Sequence, residues 1–516
     1  MTRREFINQS SLSIGAVYAA LNAWGFIYPA PAGAFDLQKT DKTGKVLILG
    51  AGLAGLAAAY ELEKLGYQCT LLEARTRAGG RIWTIREGTQ ETEIGGEKQI
   101  AHFDKGLYLN AGAARIPNHH ELSIHYCREL KIPLEVFINM NEAAYFYAEG
   151  QGTLANQPIK IRQLHADLRG YTAELAAKAI HAENLDAELS SEDAEKLIAY
   201  LKAEGDLVKN NQYQGSERRG YGFAFGATAA EAPAPAFALP DIIKSGLLHP
   251  AFSNVGEYTY HQQPTLLQPV GGMDRLVEAF KEKVGHLITY QAEVKEIYNL
   301  ESGVKVLFQN NSGKTQEITA DYCICTLPLP MLKKVKSNLS GDIQRAADFV
   351  PYMKTGKIGL QFKRRFWEED DGIFGGISKT NMDITQIFYP SYGFTNSKGI
   401  LKGYYNFHER AVRFADLSLA DREKQALAEG GKIHPQYATE FENSFSLAWH
   451  KIPFSEGGWA DYKANDRKLY FPTLLKADGA VYFAGEHTTY LNAWMAGAFE
   501  SARRVVKQIH ERVQAD

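Results

Sequence analysis

The sequence predicts an α/β protein, α+β overall, in which a parallel-sheet unit, an antiparallel sheet and a helical insertion share one chain. Three observations predict this fold. An apolar strand, a glycine-rich turn and a helix follow one another from residue 45. Apolar and polar residues alternate around 356–362, 384–389 and 400–406, which is typical of half-buried strands. Amphipathic runs with charged faces occupy much of 151–249.

Composition excludes several classes of partner. The net charge is −3, with 57 basic and 60 acidic side chains, and no basic block indicates nucleic-acid binding. No apolar stretch reaches membrane-spanning length, so we expect no stable membrane insertion. Four cysteines are too few for a disulfide framework. Cys323 and Cys325 share one face of a predicted strand, and we expect them to pack in the core.

Residues 1–34 have the features of an export leader. Arg3 and Arg4 precede a mild apolar stretch, and small residues at 32–34 resemble a cleavage site. A twin arginine is typical of a bacterial export route. We therefore expect a periplasmic or secreted protein if the leader is cleaved. The alternative is an N-terminal amphipathic helix that packs on the fold.

The glycine-rich turn after the first apolar strand has the residues needed to bind a dinucleotide. Gly50, Gly52 and Gly55 form G-x-G-x-x-G between a strand at 46–49 and a helix predicted over 56–65. The first glycine makes the tight turn, the second lets the backbone approach a pyrophosphate, and the third lets the helix pack on the strand. The N-terminus of the helix directs partial positive charge at the phosphates.

A carboxylate follows where the ribose of such a ligand would lie. The second predicted strand, 69–72, is followed by Glu73, which can accept hydrogen bonds from both ribose hydroxyls. The motif alone does not separate NAD from FAD. Gly79-Gly80-Arg81 adds backbone amides and a cation, which favours the larger dinucleotide.

These motifs, together with segments around 268–280, 290–297, 321–335 and 481–509, resemble the flavin amine oxidase family, and within it the L-amino acid oxidases. The resemblance implies a Rossmann-like FAD-binding domain, an antiparallel-sheet substrate domain and a helical insertion. The implied cofactor-binding residues are Gly50, Gly52, Ala54, Gly55, Glu73, Ala74, Arg75, Gly80, Arg81, Gly112, Ala113, Ala114, Arg115, Val294, Gly485, Glu486, Trp494, Met495 and Ala498.

The domains implied by the resemblance are discontinuous along the chain. After the leader at 1–34, the FAD-binding domain takes 44–97, 265–330 and 455–516, the substrate domain takes 98–150, 250–264 and 331–454, and the helical domain takes 151–249.

The closing segment also fits FAD on physical grounds. A predicted strand at 481–484 leads into Gly485-Glu486, which places a carboxylate beside the ribityl chain. A helix is predicted from Met495, and its N-terminal dipole would stabilise negative charge on a reduced flavin. Some members of the family attach FAD through a cysteine in this region. This chain has no cysteine after Cys325, so we expect non-covalent FAD.

The resemblance assigns residues of the substrate half individually. Lys357 matches a lysine that holds a water near the reactive flavin nitrogen, and Trp494 matches an aromatic wall beside the flavin; both are expected catalytic residues. Tyr404 matches a tyrosine that binds the substrate carboxylate, and Ala493 a backbone contact to substrate. From the residues alone, Lys357 is also typical of an exposed strand, the usual place of a lysine, and Tyr404 and Trp494 are typical of a core. Tyr405 would replace Tyr404 if the register shifted by one.

Arg115, in the stretch AGAARIP, matches the arginine that pairs with the substrate carboxylate. A planar guanidinium suits a carboxylate better than an ammonium does. Two alternatives stay open, because Arg115 can instead bind the FAD pyrophosphate or form a structural ion pair. Tyr404 favours the carboxylate role, since two carboxylate-directed groups would select amino acids over simple amines.

The resemblance therefore implies FAD-dependent oxidative deamination of L-amino acids to 2-oxo acids, ammonia and hydrogen peroxide. The expected partners are an L-amino acid and molecular oxygen, and we expect a homo-oligomer, namely a dimer. The alternatives are a monoamine or polyamine oxidase, an amino-acid 2-monooxygenase, and a redox-silent flavoprotein that binds a partner.

A histidine-rich stretch contains His119, His120 and His125. Asn118 and Glu121 have the spacing of a helix capping box. We interpret these histidines as surface or packing residues, and we expect no metal site because no metal-ligand spacing appears.

The leader generates a prediction about export. Fused to a reporter, residues 1–40 should carry it to the periplasm, because the twin arginine is the signal that the export route reads. Replacing both arginines, Arg3→Lys with Arg4→Lys, should stop export while leaving the reporter folded. Equal periplasmic signal from the double variant would contradict the twin-arginine interpretation.

Overall fold

The computed structural model describes residues 35–182, 189–221, 233–253 and 259–515. The predicted leader, 1–34, lies outside the described residues. In the described ranges, no helix is both long enough and apolar enough to cross a membrane.

The chain folds into strands and helices that alternate along its length. The strands are β1 Lys45–Leu49, β2 Gln68–Glu73, β3 Thr84–Ile85, β4 Gln90–Thr92, β5 Lys98–Ile100, β6 Leu109–Asn110, β7 Ile116–Pro117, β8 Leu134–Phe137, β9 Tyr145–Tyr147, β10 Ile159–Lys160, β11 Leu266–Pro269, β12 Ile288–Tyr290, β13 Glu293–Asn299, β14 Val304–Gln309, β15 Thr315–Ala320, β16 Tyr322–Cys325, β17 Lys336–Ser337, β18 Thr355–Phe362, β19 Gly376–Thr380, β20 Gln386–Tyr389, β21 Gly399–Phe407, β22 Phe441–Ala448 and β23 Val481–Phe483. The helices are α1 Leu53–Lys64, α2 Glu121–Glu129, α3 Ile161–His181, α4 Ser191–Gly205, α5 Leu239–Lys244, α6 Pro250–Ser253, α7 Arg275–Val284, α8 Leu329–Leu332, α9 Gly341–Phe349, α10 Phe366–Glu369, α11 His408–Ala415, α12 Leu419–Gly431, α13 Tyr437–Glu440, α14 Ala464–Leu474 and α15 Met495–Ala515.

A five-stranded parallel sheet, in the order β12-β2-β1-β16-β23, forms the first half of the molecule. Its strands come from three separate stretches of chain, as expected for a discontinuous domain. Helices α1, α7 and α15 bury one face of this sheet with apolar side chains. Cys323 and Cys325 pack together in the apolar cluster on the other face, which confirms their expected role in the core.

A seven-stranded sheet, in the order β10-β9-β19-β20-β21-β18-β22, forms the second half. Its neighbours are antiparallel except for β9 and β19, which are parallel. The three strands predicted from alternation are present as β18, β20 and β21. Strands β9 and β10 lie at one edge, so the sheet continues into the region at 151–249 that was predicted to be helical.

A β-bulge in β21 decides which of its side chains share a face. Ile358 pairs with Tyr404 and Gly359 pairs with Lys402, so Gly403 is the extra residue between them. A Cβ on Gly403 would lie 2.4 Å from Leu360 Cδ1, so the bulge accepts only a very small residue there. Because a bulge shifts the side-chain alternation by one residue, Lys402 falls on the same face as Tyr405.

The helical insertion is fixed by one buried acid. The carboxylate of Asp167, on α3, forms an ion pair with Arg219, and both side chains are almost fully buried. Asp167 also accepts hydrogen bonds from the Tyr213 hydroxyl at 2.7 Å and from the backbone N–H of Phe237 at 2.9 Å. These contacts hold the described parts of the following loop against α3.

A small three-stranded sheet, β7-β11-β8, joins two distant stretches of chain. Leu266 pairs with Pro117, and the N–H of Asn118 donates to Thr265 O at 3.1 Å. Because of this pairing, the residues that follow β7 lie beside those that precede β11.

Candidate functional site

A long cavity runs between the parallel sheet and the seven-stranded sheet. Its lining includes sixteen of the nineteen predicted cofactor-binding residues: Gly50, Gly52, Ala54, Glu73, Ala74, Arg75, Gly80, Arg81, Gly112, Ala113, Val294, Gly485, Glu486, Trp494, Met495 and Ala498. Lys357, Tyr405, Trp449 and Trp459 also line it. The cavity therefore connects the glycine-rich turn with the floor of the second sheet.

The three glycines of the turn have different surroundings. A Cβ on Gly52 would meet nothing within 4 Å, so this residue leaves the turn open towards the cavity. A Cβ on Gly55 would lie 2.0 Å from Gly50 O, which shows that Gly55 permits close packing of α1 and does not line the cavity. Gly50 has φ +102°, a conformation that favours glycine.

Two buried carboxylates fix the walls of the cavity. Glu73 accepts hydrogen bonds from the backbone N–H groups of Ala51 and Arg75, both at 2.9 Å. Glu486 pairs with Arg81 at 2.8 Å and accepts from the N–H of Ala493 at 3.0 Å. Both oxygens of Glu73 and Oε2 of Glu486 accept one hydrogen bond each, which leaves capacity for sugar hydroxyls, whereas Glu486 Oε1 also accepts from the N–H of Ala460 at 3.2 Å.

The residues present fit FAD. The open backbone at Gly52 suits a pyrophosphate, and Glu73 lies at the end of β2 where a ribose is expected. At the opposite end of the cavity, helix α15 begins at Met495. Met495 and the small residue Ala498 are the residues of this helix that line the cavity. A flat ring can therefore lie close to the N-terminal turn of this helix.

Lys357 lies in the cavity, as predicted, and is not an exposed strand lysine. Its side chain is 3% exposed, and its ammonium donates to Gly112 O. The nitrogen lies 4.4 Å from the centre of the Tyr405 ring. Burial lowers the pKa of Lys357 well below its usual value, and the charges of Lys402 and Arg115 lower it further.

The prediction for Tyr404 is wrong. Its side chain points away from the cavity into the core of the second sheet, with its ring 4.6 Å from that of Phe414. It pairs with Ile358, whereas Tyr405 pairs with Lys357 and faces the cavity. The physical reason is side-chain alternation, because adjacent strand residues face opposite sides of a sheet.

Lys402 is a residue of this site that sequence reasoning missed. It is 7% exposed, and its ammonium lies 4.3 Å from the Phe388 ring and 5.5 Å from the Tyr405 ring. Burial and the charge of Arg115 lower the pKa of Lys402 to about 7. Only the bulge at Gly403 brings this lysine to the cavity side, and no pattern in the sequence indicates that bulge.

Arg115 lies beside the lysines rather than beside the glycine-rich turn. Its guanidinium donates to Gln262 Oε1 at 3.2 Å and lies 5.8 Å from the Phe137 ring. Its charge acts on Lys357, Lys402 and Tyr405. This position favours the substrate role over binding of the pyrophosphate.

Two of the predicted cofactor-binding residues, Ala114 and Arg115, do not line the cavity, whereas Gly112 and Ala113 do. Ala114 packs in a small apolar cluster between the sheets. A Cβ on Gly112 would lie 1.8 Å from Arg81 O, which explains the small-residue run before Arg115.

Three histidines converge behind Trp494. His119 Nε2 and His120 Nε2 each lie 3.1 Å from His261 Nδ1, and the His120 ring packs edge-on against Trp494. The predicted capping box is wrong, because α2 has His120 at its N-cap and no side-chain cap hydrogen bond. His120 is buried, and the expectation of surface or packing histidines missed the convergence with His261.

Residues 53–510 match the family of flavin-containing amine oxidoreductases. The chain belongs to this family. The match covers most of the chain. The protein is therefore a flavin-dependent amine oxidoreductase. The family implies FAD as the cofactor, and an amine or amino acid and oxygen as the reactants.

Relatives with similar sequences are L-amino-acid oxidases by name. YobN of Bacillus subtilis (strain 168), provisionally named an L-amino-acid oxidase, is 28% identical over 482 residues, which cover 90% of this chain and 94% of that protein. The L-amino-acid oxidase of Notechis scutatus scutatus is 25% identical over 486 residues, covering 93% and 89%.

Solved structures with the same fold are amine oxidases by title. Putrescine oxidase bound to putrescine has a TM-score of 0.60 at 19% identity, covering 91% of this chain and 99% of that one. Cyclohexylamine oxidase from Brevibacterium oxydans IH-35A has a TM-score of 0.61 at 16% identity, with the same coverage. At these identities the likeness shows the fold alone.

The two adjacent tyrosines generate a prediction. Tyr405→Phe should lower kcat/KM of the enzyme for an L-amino acid about tenfold to 150-fold, the range for a lost hydrogen bond to a charged group. Tyr404→Phe is the matched control, and it should change thermal stability while leaving kcat/KM within about twofold. Steady-state kinetics at equal flavin content measures both. The reverse pattern would restore Tyr404 as the substrate-binding residue.

Proposed function

We propose that the enzyme oxidises L-amino acids to 2-oxo acids, ammonia and hydrogen peroxide. The observation that carries the proposal is a group of basic side chains around Tyr405: Lys357, which lines the cavity, and Lys402 and Arg115, which lie outside its lining. This group favours a substrate with negative charge.

The electrostatics separate amino acids from simple amines. An amine is positively charged in water at neutral pH, so a wall of cations repels it as it approaches. An amino acid brings a carboxylate that compensates this repulsion. The groups that act on the pKa values of Lys357 and Lys402 are burial and other cations, with no carboxylate of the described residues among them. A carboxylate from the substrate would favour the charged form of either lysine.

Each residue then has a definite task. Arg115 holds both oxygens of the carboxylate through its planar guanidinium. Lys402, with a pKa of about 7, becomes more fully protonated when an anion binds beside it. Trp494 closes one side of the cavity, and Lys357, held by Gly112 O, handles water or oxygen near the ring.

FAD, when bound, would supply the redox chemistry, accepting a hydride from the substrate and passing electrons to oxygen. The chain's residues orient the substrate, exclude water and stabilise charge. Lys357 is 3% exposed, and its burial lowers the pKa of its amine well below the usual value.

Arg115 generates the prediction that separates amino acids from amines. Arg115→Met should lower kcat/KM for an L-amino acid by about 30-fold to several thousand-fold, because truncating one side of a buried charge pair costs about 2–5 kcal/mol. The decarboxylated amine has no carboxylate, so its low rate should hardly change. Specificity constants for both substrates measure the effect.

The control is Arg115→Lys, which keeps the charge and removes the two-pronged geometry. It should recover part of the rate for the amino acid. Loss of FAD from Arg115→Met, or equal damage with both substrates, would contradict the proposal and favour an amine oxidase. Amide products in place of 2-oxo acids would indicate a monooxygenase.

Non-covalent FAD is a second part of the proposal. No cysteine follows Cys325 in the chain, and none of the four cysteines lines the cavity. Acid precipitation of the holoenzyme should therefore release all flavin into the supernatant. Flavin that stays with the precipitated protein after washing in denaturant would contradict it.

A further inference from the structure

We infer that His119, His120 and His261 form a binding site for one divalent transition-metal ion of the zinc class. The site lies behind Trp494 and is separate from the FAD cavity, which none of the three histidines lines. The inference does not depend on which amine is oxidised.

The distances between the ring nitrogens fit a common ion. His261 Nδ1 lies 3.1 Å from both His119 Nε2 and His120 Nε2, and one ligand atom from each ring lies within 4.8 Å of the others. In a tetrahedral zinc site with Zn–N bonds of about 2.0–2.1 Å, neighbouring nitrogens are about 3.3–3.4 Å apart. Two of the three separations are therefore already close to those of a filled site.

Hydrogen bonds between the rings alone leave the nitrogens of these three histidines poorly paired. A neutral imidazole nitrogen has either one hydrogen or one lone pair. If His261 Nδ1 carries the hydrogen, it can donate well to only one of its two neighbours. If it carries the lone pair, the N–H groups of His119 and His120 must share it. A metal ion at the centre instead accepts one lone pair from each ring.

The surroundings of the three rings leave room for a further ligand. His120 is buried, and its ring packs edge-on against Trp494. His119 and His261 are only partly buried, so water can occupy a fourth position.

The backbone holds the ligands from two distant stretches of chain. His119 and His120 follow β7, where the N–H of His120 donates to Pro117 O at 3.0 Å. His261 lies in the short 3-10 turn Tyr260–Gln262, which is placed there by the pairing of β7 with β11. The next residue, Gln262, accepts the hydrogen bond from Arg115. A bound ion would therefore fix the turn that contacts Arg115.

Calorimetric titration of the chelator-treated holoenzyme with ZnCl2 tests the inference. We expect one ion per chain, and no binding of Mg²⁺, which prefers oxygen ligands. His261→Ala and His119→Ala should each weaken zinc binding at least about 100-fold, beyond the usual effect of losing an outer-shell partner. The matched control is His286→Ala, which removes a histidine that is paired with Glu63 on the surface and should leave binding unchanged.

A second measurement needs no variant. Co²⁺ bound to the unaltered holoenzyme should give the intense visible bands of a tetrahedral site with nitrogen ligands, in competition with Zn²⁺. Unchanged flavin absorbance and melting temperature without metal establish that the variants are folded. No zinc binding, binding that is equal in wild type and both triad variants, or a cobalt spectrum of the octahedral aqua ion would each overturn the inference.

Discussion

Buried positive charge is the constraint on which the substrate half of this enzyme depends. Lys357 and Lys402 are both more than nine-tenths buried, and Arg115 lies within range of both. Removing a cation from water is costly unless a partner compensates. The protein meets part of this cost with the Gly112 carbonyl and the faces of Tyr405 and Phe388. Burial also lowers the pKa values of both lysines, that of Lys402 to about 7.

Under the proposed function, this site binds an anion. A carboxylate that enters would favour the protonated form of Lys402, so the site would gain positive charge when the ligand binds. The other half of the cavity is neutral by comparison. There Glu73 and Glu486 are held by backbone N–H groups and by Arg81, which suits sugar hydroxyls along an extended cofactor.

The fold and the cofactor half could be predicted because their signals are local. Gly50, Gly52 and Gly55 have their roles within six consecutive residues, and Glu73 follows on the next strand. Lys357 was placed through the family resemblance of its strand, and its pairing with Tyr405 puts it on the cavity face. Tyr404 was misplaced by one residue, because Tyr405 is the residue that pairs with Lys357 and faces the cavity. One extra residue, Gly403, shifts the alternation of β21 and puts Lys402 on the same face as Tyr405. His261 could not be linked to His119 and His120 because only the pairing of β7 with β11 brings them together.

The central claim, that the cavity selects for a carboxylate, is tested most directly by equilibrium binding to the oxidised holoenzyme without oxygen. Two fragments of one amino acid are compared: 3-phenylpropanoate, which keeps the carboxylate, and 2-phenylethylamine, which keeps the amine. Perturbation of the flavin absorbance reports binding of each. The account predicts that the carboxylate binds at least about tenfold more tightly, or about 1.4 kcal/mol. It also predicts that this affinity falls as the pH rises above 7 and Lys402 loses its proton. Equal or tighter binding of the amine would contradict it.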